Sequence, residues 1–384
     1  TGEQGLRKLS QLGIESDHGD IRRNVWLTTD LDTSEIRKVR EAGFKYDIQI
    51  ADVKKHYREQ AMSSHEHSRI SSAPNGCQAT NAPTYQVPSN FSLGSYAGYF
   101  TYQEMLDNLD QMANLYPNLI SIKAPLPGGT TIEGRLIYLV KISDNPNVDE
   151  SEPEMLYTAV HHAREPGGMS QLIFYMWYLL ENYGTNDEVT YLVDHLQLYF
   201  VPCINPDGRD RYVNWFNSVV GTKANPRMET REHREPWPGG RSNHYNFDLN
   251  RDWAWQTQVE SQQRMKLYNQ WMPQIHVDFH EQGINEPYYF APAAEPFHEV
   301  ITQWQRDFQT TIGKNHAKYF DANGWLYFTK LRFDLFYPSY GDTYPTYNGA
   351  IGMTYEQGGG PAGGAAALTE EGDTLTLYDR AIHH

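Results

Sequence analysis

The feature that most restricts the fold is an alternation of strand-like and helix-like patterns along most of the chain. From Gly94 onward, short apolar runs are interleaved with segments whose apolar side chains recur at helical spacing. This alternation predicts an α/β fold: a mixed, mostly parallel twisted sheet flanked by helices. The predicted strands are, in order, Leu136–Ile142, Met155–Val160, Leu196–Ile204, Gln274–Phe279 and Gly349–Tyr355, and the clearest helices are Tyr102–Tyr116 and Met169–Asn182.

The N-terminal part of the chain predicts a separate small α/β module. Acidic and basic side chains balance over about the first 60 residues, so the formal charge of −16 resides in the rest of the 384-residue chain. Residues 63–92 are rich in Ser, Pro, Asn and Thr, which is typical of a linker. We therefore predict a module over 1–62, a linker over 63–92 and a large domain over 93–384. The module's predicted elements are a helix near Leu6–Leu12, a strand at Val25–Thr29, a helix from Ser34, a strand at Tyr46–Ile50 and a helix at Val53–Met62.

Charge and hydropathy exclude several classes of partner. The chain has 48 acidic and 32 basic side chains, and an acidic protein lacks the positive field that nucleic acids require. The longest apolar run, Leu172–Leu180, is far shorter than the roughly 20 residues that span a bilayer. We predict no nucleic-acid partner and no membrane insertion. The two cysteines, Cys77 and Cys203, are compatible with either a bridge or free thiols.

Metal-binding side chains follow two of the predicted strands. His162 and Glu165 come directly after the second strand, and His280 comes directly after the fourth. Because ligands bind beyond the carboxyl ends of strands in such sheets, we expect these groups to converge. Two imidazoles, one carboxylate and one open position make a catalytic zinc site. His161 is a rival ligand, since it adjoins His162 and also precedes Glu165.

A further carboxylate, Glu356, follows the fifth predicted strand. A carboxylate beside a metal-activated water accepts its proton and passes it to a leaving amine, which is the acid–base work that amide hydrolysis requires. By itself, such a glutamate is equally compatible with a surface ion pair. The ordered set of motifs around it decides between these interpretations.

These motifs together resemble the zinc carboxypeptidase family, of the carboxypeptidase A/B-like type. The resemblance covers residues from about 95 to 384. Each string is common alone, whereas the ordered combination is specific. The motifs are H-x-x-E at His162–Glu165, N-P-D-G at Asn205–Gly208, G-R-x-N at Gly240–Asn243, D-L-N-R at Asp248–Arg251, then His280, and Glu356 after a Tyr-rich loop.

The resemblance implies a zinc site with one Zn²⁺ per chain, held by His162, Glu165 and His280. It implies that Glu356 is the general base, and later the acid, for a zinc-activated water. It also implies that Arg241 stabilises the oxyanion, a role for which the permanently charged guanidinium is suited. Arg234 is the alternative, because related pancreatic enzymes carry their arginine farther upstream.

The resemblance also implies the substrate contacts. Asn250 and Arg251 match the pair that binds the free carboxylate of a peptide C-terminus, and Asp248 matches the residue that receives a hydrogen bond from a zinc histidine. Tyr337 matches the tyrosine of the loop that closes over substrate. The position that selects the C-terminal residue is open among three neighbours, Asp342, Thr343 and Tyr344.

Three functions are consistent with these residues. The first is a zinc metallocarboxypeptidase that acts on peptide or protein C-termini. The second keeps the metal site in an amidase or deacylase for N-acyl amino acids or cell-wall peptides, and the third is a non-catalytic peptide-binding module. The N-terminal module loosely resembles the activation segments of secreted carboxypeptidases, with Arg69 as a processing point, and this resemblance implies a secreted or periplasmic protein.

Overall fold

The computed structural model describes residues 2–14, 20–22, 24–29, 31–52, 85–221, 225, 230–237, 239–283, 286–359, 366–368 and 374–376. The chain divides into two compact units, Thr1–Gly76 and Cys77–His384. The predicted boundaries at residues 62 and 93 stay a prediction, since residues 53–84 lie outside the described part. The described end of the predicted linker, residues 85–92, belongs to the second unit. There the backbone N–H groups of Ser89 and Asn90 donate hydrogen bonds to the Glu181 carboxylate.

The described part of the first unit combines two helices with a hairpin. Its elements are α1 (Glu3–Gln11), β1 (Asp20–Arg22), β2 (Trp26–Thr28) and α2 (Thr33–Glu41). Leu9, Ile14 and Val39 form its buried core, and α2 begins at a capping box on Asp32.

One prediction for the first unit is wrong. The segment Tyr46–Ile50 alternates like a strand in sequence, but the structure places no strand there. Its apolar side chains Tyr46, Ile48 and Ile50 are exposed. A period of two produces a strand only where a partner strand and a covering surface are available, and the described residues provide neither to this segment. The predicted helix Val53–Met62 lies outside the described residues.

The second unit is built around one mixed sheet. The described strands of this unit, which include strands outside the main sheet, are β3 (Ala124–Pro125), β4 (Tyr138–Ile142), β5 (Glu154–Ala159), β6 (Gln197–Val201), β7 (Ile275–Gln282), β8 (Tyr288–Tyr289), β9 (Ala294–Phe297), β10 (Tyr327–Phe328), β11 (Asp334–Leu335), β12 (Ile351–Gly358), β13 (Ala366–Leu368) and β14 (Thr374–Thr376). Within the described residues, eight strands form the main sheet in the order β10-β8-β12-β7-β5-β6-β4-β3. The central strands β12, β7, β5 and β6 are mutually parallel, whereas β3, β4 and β6 pair antiparallel.

Helices flank this sheet, so the predicted fold class is confirmed. The helices are α3 (Tyr102–Leu115), α4 (Gly167–Asn182), α5 (Asp187–His195), α6 (Pro206–Val219), α7 (Val259–Trp271), α8 (Gln303–Asn323) and α9 (Thr343–Tyr347), with 3-10 turns at Arg231–His233 and Leu249–Arg251. Side chains of α3 and α4 share one large apolar core with β5, β6, β7 and β12. The continuous apolar run of α4 reflects this burial, in which Leu172, Met176 and Trp177 are fully enclosed.

The two strands nearest the predicted site are longer than the sequence indicates. β7 and β12 pair in register from Ile351 opposite Ile275 to Gly358 opposite Gln282. His280 and Glu356 therefore lie within strands rather than after them. The two strands extend this far because they hydrogen-bond to each other. The apolar pattern of either segment alone does not predict that pairing.

Among the described residues, no helix combines the length and the apolar character that crossing a membrane requires. Cys203 is buried as a free thiol, and burial raises its pKa to about 12. Cys77 lies outside the described residues.

Candidate active site

A strained turn after β5 directs the first two candidate ligands into the site. Val160 has φ 57, in the left-handed region that a β-branched residue rarely adopts. The chain turns there and then begins α4 at Gly167. His162 and Glu165 lie on the short connection, and both side chains are buried. Strain of this kind persists only where the surrounding structure holds it, which is typical of functional sites.

The structure brings His162, Glu165 and His280 together. The Nδ1 atoms of the two histidines are 3.2 Å apart. Glu165 places Oε1 2.8 Å from Nδ1 of His162 and Oε2 2.9 Å from Nδ1 of His280. The three side chains are almost completely buried, and their ligand atoms form a group that can hold one metal ion.

The donor set fits zinc. Zinc–nitrogen bonds of about 2.05 Å at a tetrahedral angle separate two ligand nitrogens by about 3.3 Å, and the two Nδ1 atoms are 3.2 Å apart. Burial alone would raise the pKa of Glu165, but His162 and His280 outweigh it and lower that pKa well below its usual range. An ionised carboxylate facing two imidazole nitrogens is the mixed N/O set that zinc prefers.

Asp248 connects His162 to Arg241. Its Oδ1 lies 3.0 Å from Nε2 of His162, on the ring edge opposite the candidate metal position. Its Oδ2 accepts a 2.8 Å hydrogen bond from Nε of Arg241 and forms an ion pair with Nη2 of the same guanidinium, also at 2.8 Å. Burial would raise the pKa of Asp248, but His162, Arg241 and Arg251 lower it well below its usual range. Asp248 thus holds both the ring and the guanidinium in place.

The geometry favours Arg241 over Arg234 as the arginine of the site. Arg241 is two hydrogen bonds from a candidate zinc ligand through Asp248. Arg234 ends the 3-10 turn Arg231–His233 and is exposed. Which arginine stabilises the oxyanion stays a prediction, and it is tested below.

Glu356 lies on the same side of the sheet as His280. The two residues are register partners on the adjacent parallel strands β12 and β7, so their side chains leave the sheet on the same face. Burial raises the pKa of the Glu356 carboxyl to about 8, and the neighbouring His280 opposes this shift. A carboxyl in this environment can both take up and release a proton near neutral pH.

The predicted substrate-binding residues are close to this centre. The Nδ2 of Asn250 lies 3.2 Å from Nε2 of His280, and its Oδ1 accepts a 2.7 Å hydrogen bond from the backbone N–H of Gly341. Arg251 lies 3.7 Å from Asp248 and stacks over the Tyr340 ring.

The loop that bears Tyr337 is tied to the rest of the site region. Trp255 Nε1 donates a 2.9 Å hydrogen bond to the Tyr337 hydroxyl, and the Tyr337 ring packs on Tyr340. Tyr337 is partly exposed. Its role in closing over substrate stays a prediction.

The three candidate specificity positions, Asp342, Thr343 and Tyr344, differ in their burial and in their contacts. Asp342 is buried at the start of α9, and burial raises its pKa to about 6 against hydrogen bonds from Thr354 and Thr343. Thr343 is also buried, whereas Tyr344 packs near Trp253. The choice among the three candidate positions stays a prediction.

His161, the rival ligand, contacts Asp278. Its Nδ1 lies 2.8 Å from Oδ1 of Asp278, beneath His280. His161, Asp278 and His280 form a second group whose ligand atoms are close enough together to hold a cation. The sequence reasoning did not single out Asp278. The available signal was the spacing Asp278-x-His280 within a strand, which puts both side chains on one face.

Comparison with known proteins agrees with this arrangement. A zinc carboxypeptidase family model matches residues 105–323. A zinc carboxypeptidase from Saccharothrix mutabilis subsp. capreolus is 32% identical over 171 residues, which is 44% of this chain and 36% of that protein. Human carboxypeptidase D is 35% identical over 146 residues, 38% of this chain and 9% of that protein. The matched part thus spans about a third or less of these curated relatives.

Solved structures share the fold at low sequence identity. A metallo-carboxypeptidase from Burkholderia cenocepacia superposes with a TM-score of 0.52 at 17% identity, covering 75% of this chain and 67% of that one. The carboxypeptidase A from Helicoverpa armigera gives a TM-score of 0.51 at 17% identity, with 84% and 76% covered. Because the family model matches more than half of the sequence, this chain belongs to the zinc carboxypeptidase family.

Proposed function

We propose that the protein is a zinc-dependent metallocarboxypeptidase that hydrolyses the C-terminal peptide bond of peptides. One observation carries this proposal. His162, Glu165 and His280 present their ligand atoms to a common point, and the Glu356 carboxyl emerges from the adjacent strand on the same face. A three-ligand zinc set beside a free carboxyl is the minimum equipment for metal-assisted amide hydrolysis.

In this proposal, zinc supplies Lewis acidity toward the scissile carbonyl and toward a water molecule. Glu356 accepts the proton of the attacking water and then donates it to the leaving amine. Its raised pKa, which follows from burial, keeps that proton available for the second step. Arg241 is held by Asp248 and provides a fixed positive charge for the negative oxygen that develops on the carbonyl.

Asn250 and Arg251 are proposed to bind the free carboxylate of the substrate. A guanidinium presents a planar fork of donors that suits a carboxylate, and the Asn250 amide adds a further donor. Both residues follow Asp248 on the 3-10 turn Leu249–Arg251, so their distance from the metal ligands is fixed by a short rigid segment. This arrangement supports cleavage at chain ends rather than within a chain.

We expect the chemical group at the C-terminus of the substrate to determine the rate of hydrolysis strongly. We expect the zinc-loaded protein to release one C-terminal residue from a free-acid peptide, and to cleave the same peptide with a C-terminal amide at least about 100-fold more slowly. The reason is that an amide cannot form the charge-assisted contact with Arg251, a loss of about 3 kcal/mol. Mass spectrometry of the products over time measures both rates.

The matched control is the Arg251→Ala variant, which should treat the acid and the amide alike. N-acyl amino acids serve as a third substrate, because they retain the free carboxylate but lack a peptide chain. Faster hydrolysis of N-acyl amino acids than of peptides would favour the amidase or deacylase function. Equal rates on acid and amide would contradict the chain-end assignment.

A further inference from the structure

A buried polar network lies behind His280, on the side away from Glu165. Asp278 is on β7, two residues before His280, and is fully enclosed. Its Oδ2 lies 2.6 Å from Nε2 of His280. The Asp278 carboxylate thus faces the back of one candidate zinc ligand at hydrogen-bonding distance.

The other edge of Asp278 is equally constrained. Its Oδ1 lies 2.8 Å from Nδ1 of His161 and accepts a 2.7 Å hydrogen bond from the Thr158 hydroxyl. Gly341 packs so closely that a Cβ at that position would collide with Oδ2. The carboxylate is therefore fixed from three directions, by β5, by the turn after β5 and by the segment before α9.

The hydrogen-bonding pattern determines the proton position on His280. Asp278 accepts from the Thr158 hydroxyl through Oδ1, and at its other oxygen the 2.6 Å contact with Nε2 of His280 is a hydrogen bond in which the ring nitrogen is the donor. The opposite nitrogen, Nδ1, faces His162 and Glu165, so it is the nitrogen that gives up its proton when a metal binds at the point shared by the three side chains. With Nε2 acting as donor, the Nδ2 hydrogens of Asn250 at 3.2 Å are not used there and stay available to a ligand.

We propose that Asp278 is a positioning residue that holds His280 with its proton on Nε2 and its Nδ1 directed at the metal. The proposal rests on the proposed zinc function. It gives His280 a carboxylate support that matches the Asp248 contact of His162. The aspartate raises the basicity of the ring and fixes its orientation, and partners of this kind change metal affinity by about 10–100-fold.

The same atoms suggest a competing interpretation. His161, Asp278 and His280 could themselves surround a second cation. In that case His280 would have to bind metal through both nitrogens, which requires removal of a proton that imidazole gives up only at very high pH. The 2.6 Å contact between Asp278 and His280 is already the length of a strong charge-assisted hydrogen bond. The positioning role is therefore favoured, and a second metal is an outcome that would overturn it.

The test compares Asp278→Asn with Thr158→Val. Asparagine keeps the shape but offers an acceptor on one edge only, so its amide hydrogens must face either His280 or the His161 and Thr158 side. Thr158→Val removes a hydrogen bond to the same carboxylate without touching the His280 edge. We expect the zinc dissociation constant, measured by chelator competition, to rise about 10–100-fold for Asp278→Asn and less than about threefold for Thr158→Val.

A spectroscopic readout separates positioning from loss of folding. In zinc-loaded wild-type protein with ¹⁵N-labelled histidine, we expect His280 to show a protonated Nε2 and a metal-bound Nδ1. In the Asp278→Asn variant, part of the His280 signal should shift to other protonation states. The wild-type spectrum by itself tests the proposal, so it remains testable even where the variant does not fold.

Three results would overturn the proposal: metal bound through Nε2 of His280 in the wild type, two metal ions per chain, or unchanged zinc affinity in folded Asp278→Asn protein. Failure of the proposed function has a different signature. Zinc-loaded wild-type protein that does not cleave peptides would contradict the carboxypeptidase assignment while leaving the His280 spectrum as expected.

Discussion

Replacing Glu356 with Gln is expected to lower kcat by about 10³-fold or more while zinc remains bound at one ion per chain. Glutamine preserves the size and the strand position of the side chain but cannot accept a proton from water or return it to the leaving amine. General acid–base catalysis contributes about 10²–10⁴-fold, and this residue is proposed to act in both steps. Steady-state kinetics on a free-acid peptide, together with zinc analysis of the same sample, measure the effect.

The matched control for this variant is Glu260→Gln. Glu260 is another buried glutamate whose pKa is raised by burial, and it contacts Asn243 rather than the metal ligands. Its replacement alters a buried carboxyl without removing a catalytic group, so kcat should change by less than about threefold. Near-normal turnover in zinc-loaded Glu356→Gln protein would refute the general-base role.

Replacing Arg241 with Ala is expected to lower kcat/KM by about 10²–10³-fold. Removing one preorganised donor to a developing oxyanion has effects of this size. In the structure, Arg241 forms a hydrogen bond through Nε and an ion-pair contact through Nη2 with Asp248, so its charge is held in place before substrate binds. Because the loss falls on the transition state, kcat should decrease more than KM increases.

Arg234→Ala is the control and also tests the alternative assignment. Arg234 is exposed, and its removal should change kcat/KM by less than about twofold. The opposite pattern, with Arg234→Ala inactive and Arg241→Ala active, would transfer the oxyanion role to Arg234. Zinc content should be measured for Arg241→Ala, because the variant also removes a partner of Asp248.

The main sheet could be predicted because the sequence of each central strand is itself typical of a buried strand. The segments around β5, β6, β7 and β12 are apolar enough to be buried on both faces, which is typical of central parallel strands. The false strand Tyr46–Ile50 had the right period, but its apolar side chains are exposed among the described residues. Local periodicity reports which face a segment could bury, whereas pairing depends on the rest of the chain.

The candidate site also has a part that could be predicted from local sequence and a part that depends on the folded chain. His162, Glu165, His280 and Glu356 were accessible to sequence reasoning because their motifs lie at or near the carboxyl ends of strands that are neighbours in the sheet. Of the support around them, the contact of Asp248 with a zinc histidine was implied by the family resemblance, whereas the rest was not accessible because it depends on contacts between distant segments. The link from Arg241 through Asp248 to His162, and the contact of Asp278 with both His161 and His280, arise only when separate segments fold together.

The central claim is that a single zinc ion is held by His162, Glu165 and His280. The most direct measurement is a crystal structure of the zinc-loaded protein with anomalous data collected at the zinc absorption edge. The account predicts one anomalous peak per chain, bonded to Nδ1 of both histidines and to the Glu165 carboxylate, with the Glu356 carboxyl facing its open position. A peak bonded to His161 or Asp278 instead, or no peak at the three ligands, would contradict the account.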